Sequence, residues 1–201
     1  MTNGNFSIYI IDDDRGMRES LTWLVKSSGY QAAAFDSAEA FLARLPGDTL
    51  GCIIADIRMA GISGLELHER LRQMQFPLPM IIITGHGDVA MAVKALKDGV
   101  FDFVEKPFDD TAILESIHSA VQHCEHRQEQ RSIQEMLRGR FETLTGREKE
   151  VMDKIVLGLS NKQIAAALGI SIKTVEVHRA RVMEKMQAGS LAALVRMSLK
   201  L

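Results

Sequence analysis

The stretch Cys52-Ile53-Ile54-Ala55-Asp56-Ile57-Arg58-Met59-Ala60-Gly61 runs from an apolar strand pattern into a turn and leaves the carboxylate of Asp56 at the strand's exit. Three other apolar runs end in the same way. Ile8-Tyr9-Ile10-Ile11 is followed by Asp12 and Asp13, Met80-Ile81-Ile82-Ile83 by Thr84, and the run from Phe101 to Glu105 by Lys106-Pro107. Four strand ends thus supply three acids, a hydroxyl and an amine. In an open parallel sheet the ligand crevice lies at the carboxyl ends of the strands, so all five groups can converge there.

The surrounding pattern is that of such a sheet. Strand signals near 7–11, 31–35, 51–55, 79–84 and 101–104 alternate with helical signals near 15–28, 37–44, 64–74, 88–98 and from 109 onward. Five β/α alternations predict a doubly wound α/β domain with a parallel sheet, of the flavodoxin-like kind. Asp36-Ser37-Ala38-Glu39 reads as a capping box opening the second helix.

The residue types at the strand ends define a chemistry. Clustered carboxylates repel one another and protonate unless a cation sits among them. Mg²⁺ is the hard, oxygen-seeking ion that carboxylates hold while it keeps several waters. Beside Asp56 it would neutralise an incoming phosphoryl group and leave the carboxylate free to attack phosphorus. Lys106 can then pair with the acyl phosphate and Thr84 can hydrogen-bond one of its oxygens.

In this order and spacing, Asp12-Asp13, Asp56, Thr84-Gly85, Asp102-Phe103 and Lys106-Pro107 resemble the receiver domain of two-component response regulators, from about Ser7 to Ala120. The resemblance implies Asp56 as phosphoacceptor, Asp13 as a direct metal ligand, Asp12 acting largely through water, and the carbonyl of Arg58 as a further ligand. It also implies that Phe103 swings inward as Thr84 moves toward the phosphoryl group. One position departs from the pattern: receivers usually carry proline where this chain has Ala60, so the loop gains a backbone N–H and freedom in φ and is expected to be softer. Arg58 and His86, two residues beyond Asp56 and Thr84, occupy positions that border the path of the hydrolytic water in receivers. Both are bulky, which implies slow autodephosphorylation.

The 201 residues, 46% hydrophobic and 25% charged, fit a globular chain of more than one domain. No apolar stretch reaches the length of a membrane span, and the N-terminus has no basic region followed by an apolar core, so a cytoplasmic, membrane-free protein is expected. Cys52 and Cys124 have no paired metal spacing and read as reduced, buried or half-buried thiols. Charge divides unevenly. Residues 139–201 carry 11 Lys+Arg against 6 Asp+Glu, about +5, whereas residues 1–138 carry 13 against 20, about −7. The acidic part suits a cation site and the basic part a polyanion.

From Asp109 through Arg138 there is neither Gly nor Pro, and Leu114, Ile117, Val121 and Cys124 recur at helical spacing. The last helix should therefore run on as a linker through the polar run Glu125 to Ser132, with a break at Arg138-Gly139-Arg140. The expected organisation is a receiver over 1–122, a helical linker over 123–140 and a second domain over 141–201.

That second domain reads as four helices. Thr145-Gly146-Arg147-Glu148 and Ser160-Asn161-Lys162-Gln163 are capping boxes, Gly158 and Gly169 are stops, Ser171 caps a third helix to about Met186, and a fourth follows from Ser190. Two helices joined by a tight Gly-containing turn are a helix-turn-helix. With Val175 facing the core, Val182 and Met186 share its side, His178 and Arg179 lie at the margins, and Lys173, Glu176, Val177, Ala180, Arg181 and Glu184 face outward. His178 is expected to be a packed, hydrogen-bonded imidazole.

Leu144-Thr145-Gly146-Arg147-Glu148, Leu159 to Ala165 and Thr174-Val175-Glu176-Val177-His178 resemble the LuxR/NarL type of DNA-binding domain, and with the receiver the nearest resemblance is to FixJ-like regulators. The candidate DNA contacts are then Asn161, Lys162, Lys173, Thr174, Glu176, Val177, Ala180 and Arg181, with the two lysines better suited to phosphate than to bases. Glu176 replaces a lysine common among relatives; it can accept from cytosine or orient Arg179.

The resemblance implies a transcription regulator rather than an enzyme. A sensor histidine kinase would phosphorylate it, with Mg²⁺ as cofactor, and it would bind double-stranded promoter DNA as a homodimer on phosphorylation and engage RNA polymerase. A rival, a Mg²⁺-dependent phosphohydrolase using Asp56, needs an acid/base carboxylate close after the nucleophile, where this chain has Arg58. A constitutive DNA-binding protein is the other rival, and the complete acidic set argues against it.

Overall fold

The computed structural model describes residues 6–45, 47, 50–85 and 89–201. The chain divides into two compact units, Met1–Arg127 and Gln128–Leu201. In the first, β1 (Phe6–Ile11), α1 (Arg15–Ser27), β2 (Gln31–Phe35), α2 (Ala38–Leu42), β3 (Leu50–Asp56), α3 (Gly64–Gln73), β4 (Met80–Thr84), α4 (Val89–Lys97) and β5 (Asp102–Glu105) alternate, and α5 (Asp110–Glu142) begins. The sheet has the order β2-β1-β3-β4-β5 with every pairing parallel, the expected flavodoxin-like arrangement.

The isoleucine-rich runs explain why β1, β3 and β4 are central. A strand covered by helices on both faces needs apolar residues at every position, and these three are buried almost throughout, whereas β2 and β5 at the edges are only partly covered. Successive residues then serve two cores. Ile8, Ile10, Ile54 and Ile81 pack against Leu21, Val25, Ile113 and Ile117 on one face, and Ile11, Ile53 and Ile82 against Phe41 and Leu67 on the other. The register sets Ile11 beside Ala55, Asp56 beside Ile83, and Thr84 beside Glu105. The residues that follow or end these strands therefore emerge along one edge of the sheet.

Two local expectations differ from the structure. Ser37, not Asp36, caps α2: its hydroxyl accepts from Ala40 N, and the Glu39 carboxylate that would complete a capping box instead accepts from Ile62 N, 3.0 Å away. A tertiary partner has outcompeted the local one. Nor does Arg138-Gly139-Arg140 break α5, which continues to Glu142. A single interior glycine costs a helix about 1 kcal/mol, and the turn around it is anchored by buried Leu137, by Phe141 packed on the C-terminal core, and by Arg140, which donates to Met186 O at 3.4 Å.

The second unit continues with α6 (Gly146–Val156), α7 (Asn161–Leu168), α8 (Ile172–Lys185) and α9 (Leu191–Ser198) around Val151, Ile155, Ile164, Val175, Val182, Met186 and Leu194. Thr145 and Ser160 form complete capping boxes with Glu148 and Gln163; Ser171 and Ser190 cap α8 and α9. Gly169 takes the left-handed conformation, φ 67°, which turns the chain from α7 into α8 as the helix-turn-helix requires.

Glu148 does more than cap. It is 1% exposed, and its Oε2 accepts from Thr145 N at 2.8 Å and from Lys185 Nζ at 2.6 Å, which ties the start of α6 to the end of α8. The Lys185 ammonium, helped by the Thr145 N–H, lowers the Glu148 carboxyl from an ordinary 4.5 to about 2. A carboxylate depressed in the folded state contributes stability that is present above its unfolded value and lost as pH falls through the folded one. The second unit should therefore weaken between about pH 4.5 and 2. Glu148→Gln should flatten that dependence and lower stability near neutrality by on the order of 2 kcal/mol, the range of a hydrogen bond to a charged group. Trp23, the only tryptophan, lies in the first unit, so urea unfolding followed by far-UV circular dichroism and by tryptophan fluorescence separates the two contributions. An unchanged circular dichroism transition in Glu148→Gln would contradict the assignment.

Candidate functional site

At the carboxyl end of β3, Asp56 is 8% exposed and both of its carboxylate oxygens are engaged. Oδ1 accepts from Lys106 Nζ, and Oδ2 from Arg58 N at 2.8 Å. Lys106 is placed by its own backbone, whose N–H donates to Thr84 O at 2.7 Å, and its ammonium also stands 3.6 Å from Asp12 Oδ2. Asp12 follows β1, is 2% exposed, and turns Oδ1 onto Asp14 N at 2.8 Å. Its Oδ2 is buried with no hydrogen-bond partner, and at 3.6 Å the ammonium answers it only through charge.

The electrostatics follow from this packing. Burial raises the Asp12 carboxyl above its ordinary value, and the charges of Asp56 and Asp13 add to the rise; the Asp14 N–H and Lys106 oppose it without cancelling it. Burial works against the Lys106 ammonium, but its hydrogen bond and attraction to Asp56, with Asp12 behind, leave its pKa raised. One lysine thus stands between two crowded acids.

Asp13 is exposed and its Oδ2 accepts from Ala60 N at 3.0 Å. The N–H that Ala60 has and proline would lack donates to the β1–α1 turn. Thr84 is fully buried and donates to Gly85 O at 3.3 Å. Phe103 is half-buried, packs at the margin of the core that holds Ile82 and Val100, and lines an open hollow of about 570 Å³ with Glu105, Pro107, Phe108 and Asp109. His86 lies outside the described residues. The structure brings Asp12, Asp56 and Lys106 into one constellation and sets Asp13 at its rim. Among the described residues no three His, Cys, Asp or Glu side chains form a cluster able to hold a metal by themselves. A hard cation nevertheless suits these oxygen donors, above all the unpartnered Asp12 Oδ2.

Two supporting residues escaped the sequence reading. Arg18 donates to Asp12 O at 2.7 Å, and Glu39 accepts from Ile62 N. Only the position of Arg18 one turn into α1, beside the acids, offered a signal. Gly64 is also required, because a Cβ there would lie 2.3 Å from Asp56 O.

On the second unit, Lys173, Thr174, Glu176, Val177, Ala180 and Arg181 are exposed on α8, as is Lys162 on α7, while Asn161 is half-buried; Val175, Val182 and Met186 face the core. His178 is half-buried, but its Nδ1 is buried with no hydrogen-bond partner, so the expected hydrogen bond is missing at that atom. Cys52 and Cys124 are free and buried. Among the described residues no helix is long and apolar enough to cross a membrane.

Residues 8–118 match the response regulator receiver domain family, and residues 142–198 match the luxR family of bacterial regulatory proteins. The chain belongs to the response regulators, with a receiver domain joined to a LuxR-type DNA-binding domain, and is a transcriptional regulator rather than an enzyme in the usual sense. Within that class it is FixJ-like. It is 46% identical to the transcriptional regulatory protein FixJ of Bradyrhizobium diazoefficiens, over 96% of this chain and 94% of that one. It is 43% identical to the C4-dicarboxylate transport transcriptional regulatory protein DctR of Rhodobacter capsulatus, over 96% and 100%. Of solved structures, the response regulator StyR matches with a TM-score of 0.86 at 40% identity, over 98% of this chain and 100% of that one. Full-length FixJ from B. japonicum matches with a TM-score of 0.63 at 46% identity, over 100% and 98%.

The close approach at Gly64 yields a prediction. Because the atom in the way is backbone, Gly64→Ala should destabilise the first unit by about 3 kcal/mol, read as a lower urea midpoint in Trp23 fluorescence. A midpoint equal to that of the native chain would show that the loop yields freely.

Proposed function

We propose that Asp56 is the phosphoacceptor, receiving a phosphoryl group from a sensor histidine kinase in the cytoplasm. The observation that carries this reading is the position of its carboxylate at the end of β3, held on one oxygen by Lys106 and on the other by the Arg58 N–H. A carboxylate oxygen bonds to phosphorus as the bond from phosphorus to the donor nitrogen breaks. Lys106 then passes from the carboxylate to the acyl phosphate, and the Thr84 hydroxyl leaves Gly85 O for a phosphoryl oxygen. Asp13, Asp56 and the Arg58 carbonyl would hold Mg²⁺, with Asp12 acting through water. Bound there, Mg²⁺ supplies positive charge against the acids and the phosphoryl group.

In this reading Thr84 and Phe103 form the switch, and the surface they reshape is the face of α4, β5 and the start of α5. Exposed Val93 and Leu96 on α4 and the hollow beside Phe103 support a homodimer through that face. Two second units would then reach paired half-sites on promoter DNA and present themselves to RNA polymerase. Domain limits of 1–122 and 141–201, with a helical linker over 123–140, accompany the proposal. The DNA contacts are Asn161, Lys162, Lys173, Thr174, Glu176, Val177, Ala180 and Arg181.

Acetyl phosphate with Mg²⁺ should label the native chain and fail to label Asp56→Asn; labelling that survives unchanged defeats the assignment. Beryllofluoride should double the sedimenting mass at micromolar concentration, and an equal mass counts against the dimer. On DNA, Lys162→Ala or Lys173→Ala should weaken binding to operator and scrambled duplex alike, with the salt slope reduced by about one unit per contact. Arg181→Ala should instead lose roughly 1–3 kcal/mol on the operator alone. Equal loss on both duplexes makes Arg181 a backbone contact.

A further inference from the structure

Between Asp56 and Gly64 the chain leaves the sheet through a loop whose alternate backbone N–H groups each land on a carboxylate. Arg58 N donates to Asp56 Oδ2 at 2.8 Å, Ala60 N to Asp13 Oδ2 at 3.0 Å, and Ile62 N to Glu39 Oε1 at 3.0 Å. Other positions of the segment are also committed. Ile57 and Ile62 are buried, Ile57 N extends the β3–β4 ladder onto Ile83 O, and Gly61 sits at φ +78°. A Cβ on Gly61 would come within 2.6 Å of Glu39 Oε1, so the absent side chain makes room for the carboxylate. One loop thus ties together an acid from the strand it leaves, one from the β1–α1 turn and one from α2.

The middle tie depends on the residue type at position 60. Proline, usual in receivers where Ala60 stands, has no N–H to give and stiffens a loop by fixing φ. Here the loop is instead tied by a hydrogen bond between residues 47 apart in sequence. Asp13 is exposed, and an exposed aspartate with nothing to hold it populates several rotamers.

We propose that Ala60 is a positioning residue for the metal-binding carboxylates: its N–H fixes Asp13 through Oδ2, leaving Oδ1 for the cation, while Glu39 holds the same loop from outside the site. The proposal rests on the assignment of Asp13 as a metal ligand. Hydrogen bonds that orient metal-ligating carboxylates change metal affinity by about 10–100-fold when removed. An exposed ligand such as Asp13 belongs at the lower end of that range.

The test is titration of the full-length chain with MgCl₂ alone, followed by backbone amide shifts. Ala60→Gly keeps the N–H and should bind within about twofold of the native chain, whereas Ala60→Pro should raise half-saturation about tenfold. Glu39→Ala should weaken binding by about tenfold at most, with a lower urea midpoint because the N–H of buried Ile62 loses its acceptor. Native-like affinity in Ala60→Pro overturns the proposal, as does tighter binding, which would mean that the N–H competes with the cation. Equal weakening in Ala60→Gly also overturns it. If Ala60→Pro does not fold, Glu39→Ala decides, and native affinity there is fatal. Equal Mg²⁺ binding by the native chain and Asp13→Ala removes the metal-ligand assignment itself, and the proposal with it; that result differs from the one in which Asp13 matters and Ala60 does not.

Discussion

An ammonium between two crowded carboxylates is the interaction on which the site depends. Asp12 and Asp56 follow or end adjacent strands, and the ladder that sets Ile11 beside Ala55 gives them no means of separating. Two anions so placed repel and are poorly hydrated. Lys106 supplies the counter-charge from a third strand end, where its N–H is bonded to Thr84 O. The hydrogen-bonded sheet thus acts as a jig that forces like charges together and sets a counter-charge beside them. The same jig leaves Asp12 Oδ2 short of a partner, so the constellation is receptive to a further cation.

The second unit uses a buried charge in the opposite way. Glu148 meets Lys185 with a backbone N–H completing its shell, and its carboxyl is lowered rather than raised. A pair whose buried carboxylate oxygen has both of its donors in place fixes geometry, here the start of α6 against the end of α8. An incompletely satisfied one, such as Asp12 with Lys106, stays open to exchange. Satisfaction of the charge, not its burial, separates the scaffold carboxylate from the site carboxylate.

How much was legible in the sequence follows the range of each interaction. Central strands are written as isoleucine-rich apolar runs because burial on both faces constrains nearly every position. Thr145 with Glu148 and Ser160 with Gln163 bond within a single helical turn, so those caps were readable, as was the inward set Val175, Val182 and Met186 from helical spacing. The convergence of Asp12, Asp56 and Lys106 was also readable, because a parallel sheet gathers its strand ends, but the long-range backbone contacts that trim the site were not. Glu39 has the right spacing for a local capping box yet bonds Ile62, and the Ala60 N–H meets Asp13 on a distant turn. Gly139 misled for a related reason: the weak local preference of one glycine yielded to the packing of Leu137 and Phe141.

The Asp56–Gly64 loop brings these threads together. Backbone N–H groups carry partial positive charge without a titratable proton and without side-chain entropy, and three of them at alternate positions face three carboxylates. Such a loop stabilises anions at fixed points whatever the pH, whereas Lys106 can leave one partner for another because its charge is mobile on a flexible stem. The fixed dipoles hold the frame and the mobile charge follows the chemistry. Under the proposed function, a phosphoryl group on Asp56 would draw Lys106 and Thr84 to itself while the carboxylates stayed tethered to the loop. The change would then pass toward the Thr84 and Phe103 side of the sheet, because the β1 and α2 side is pinned.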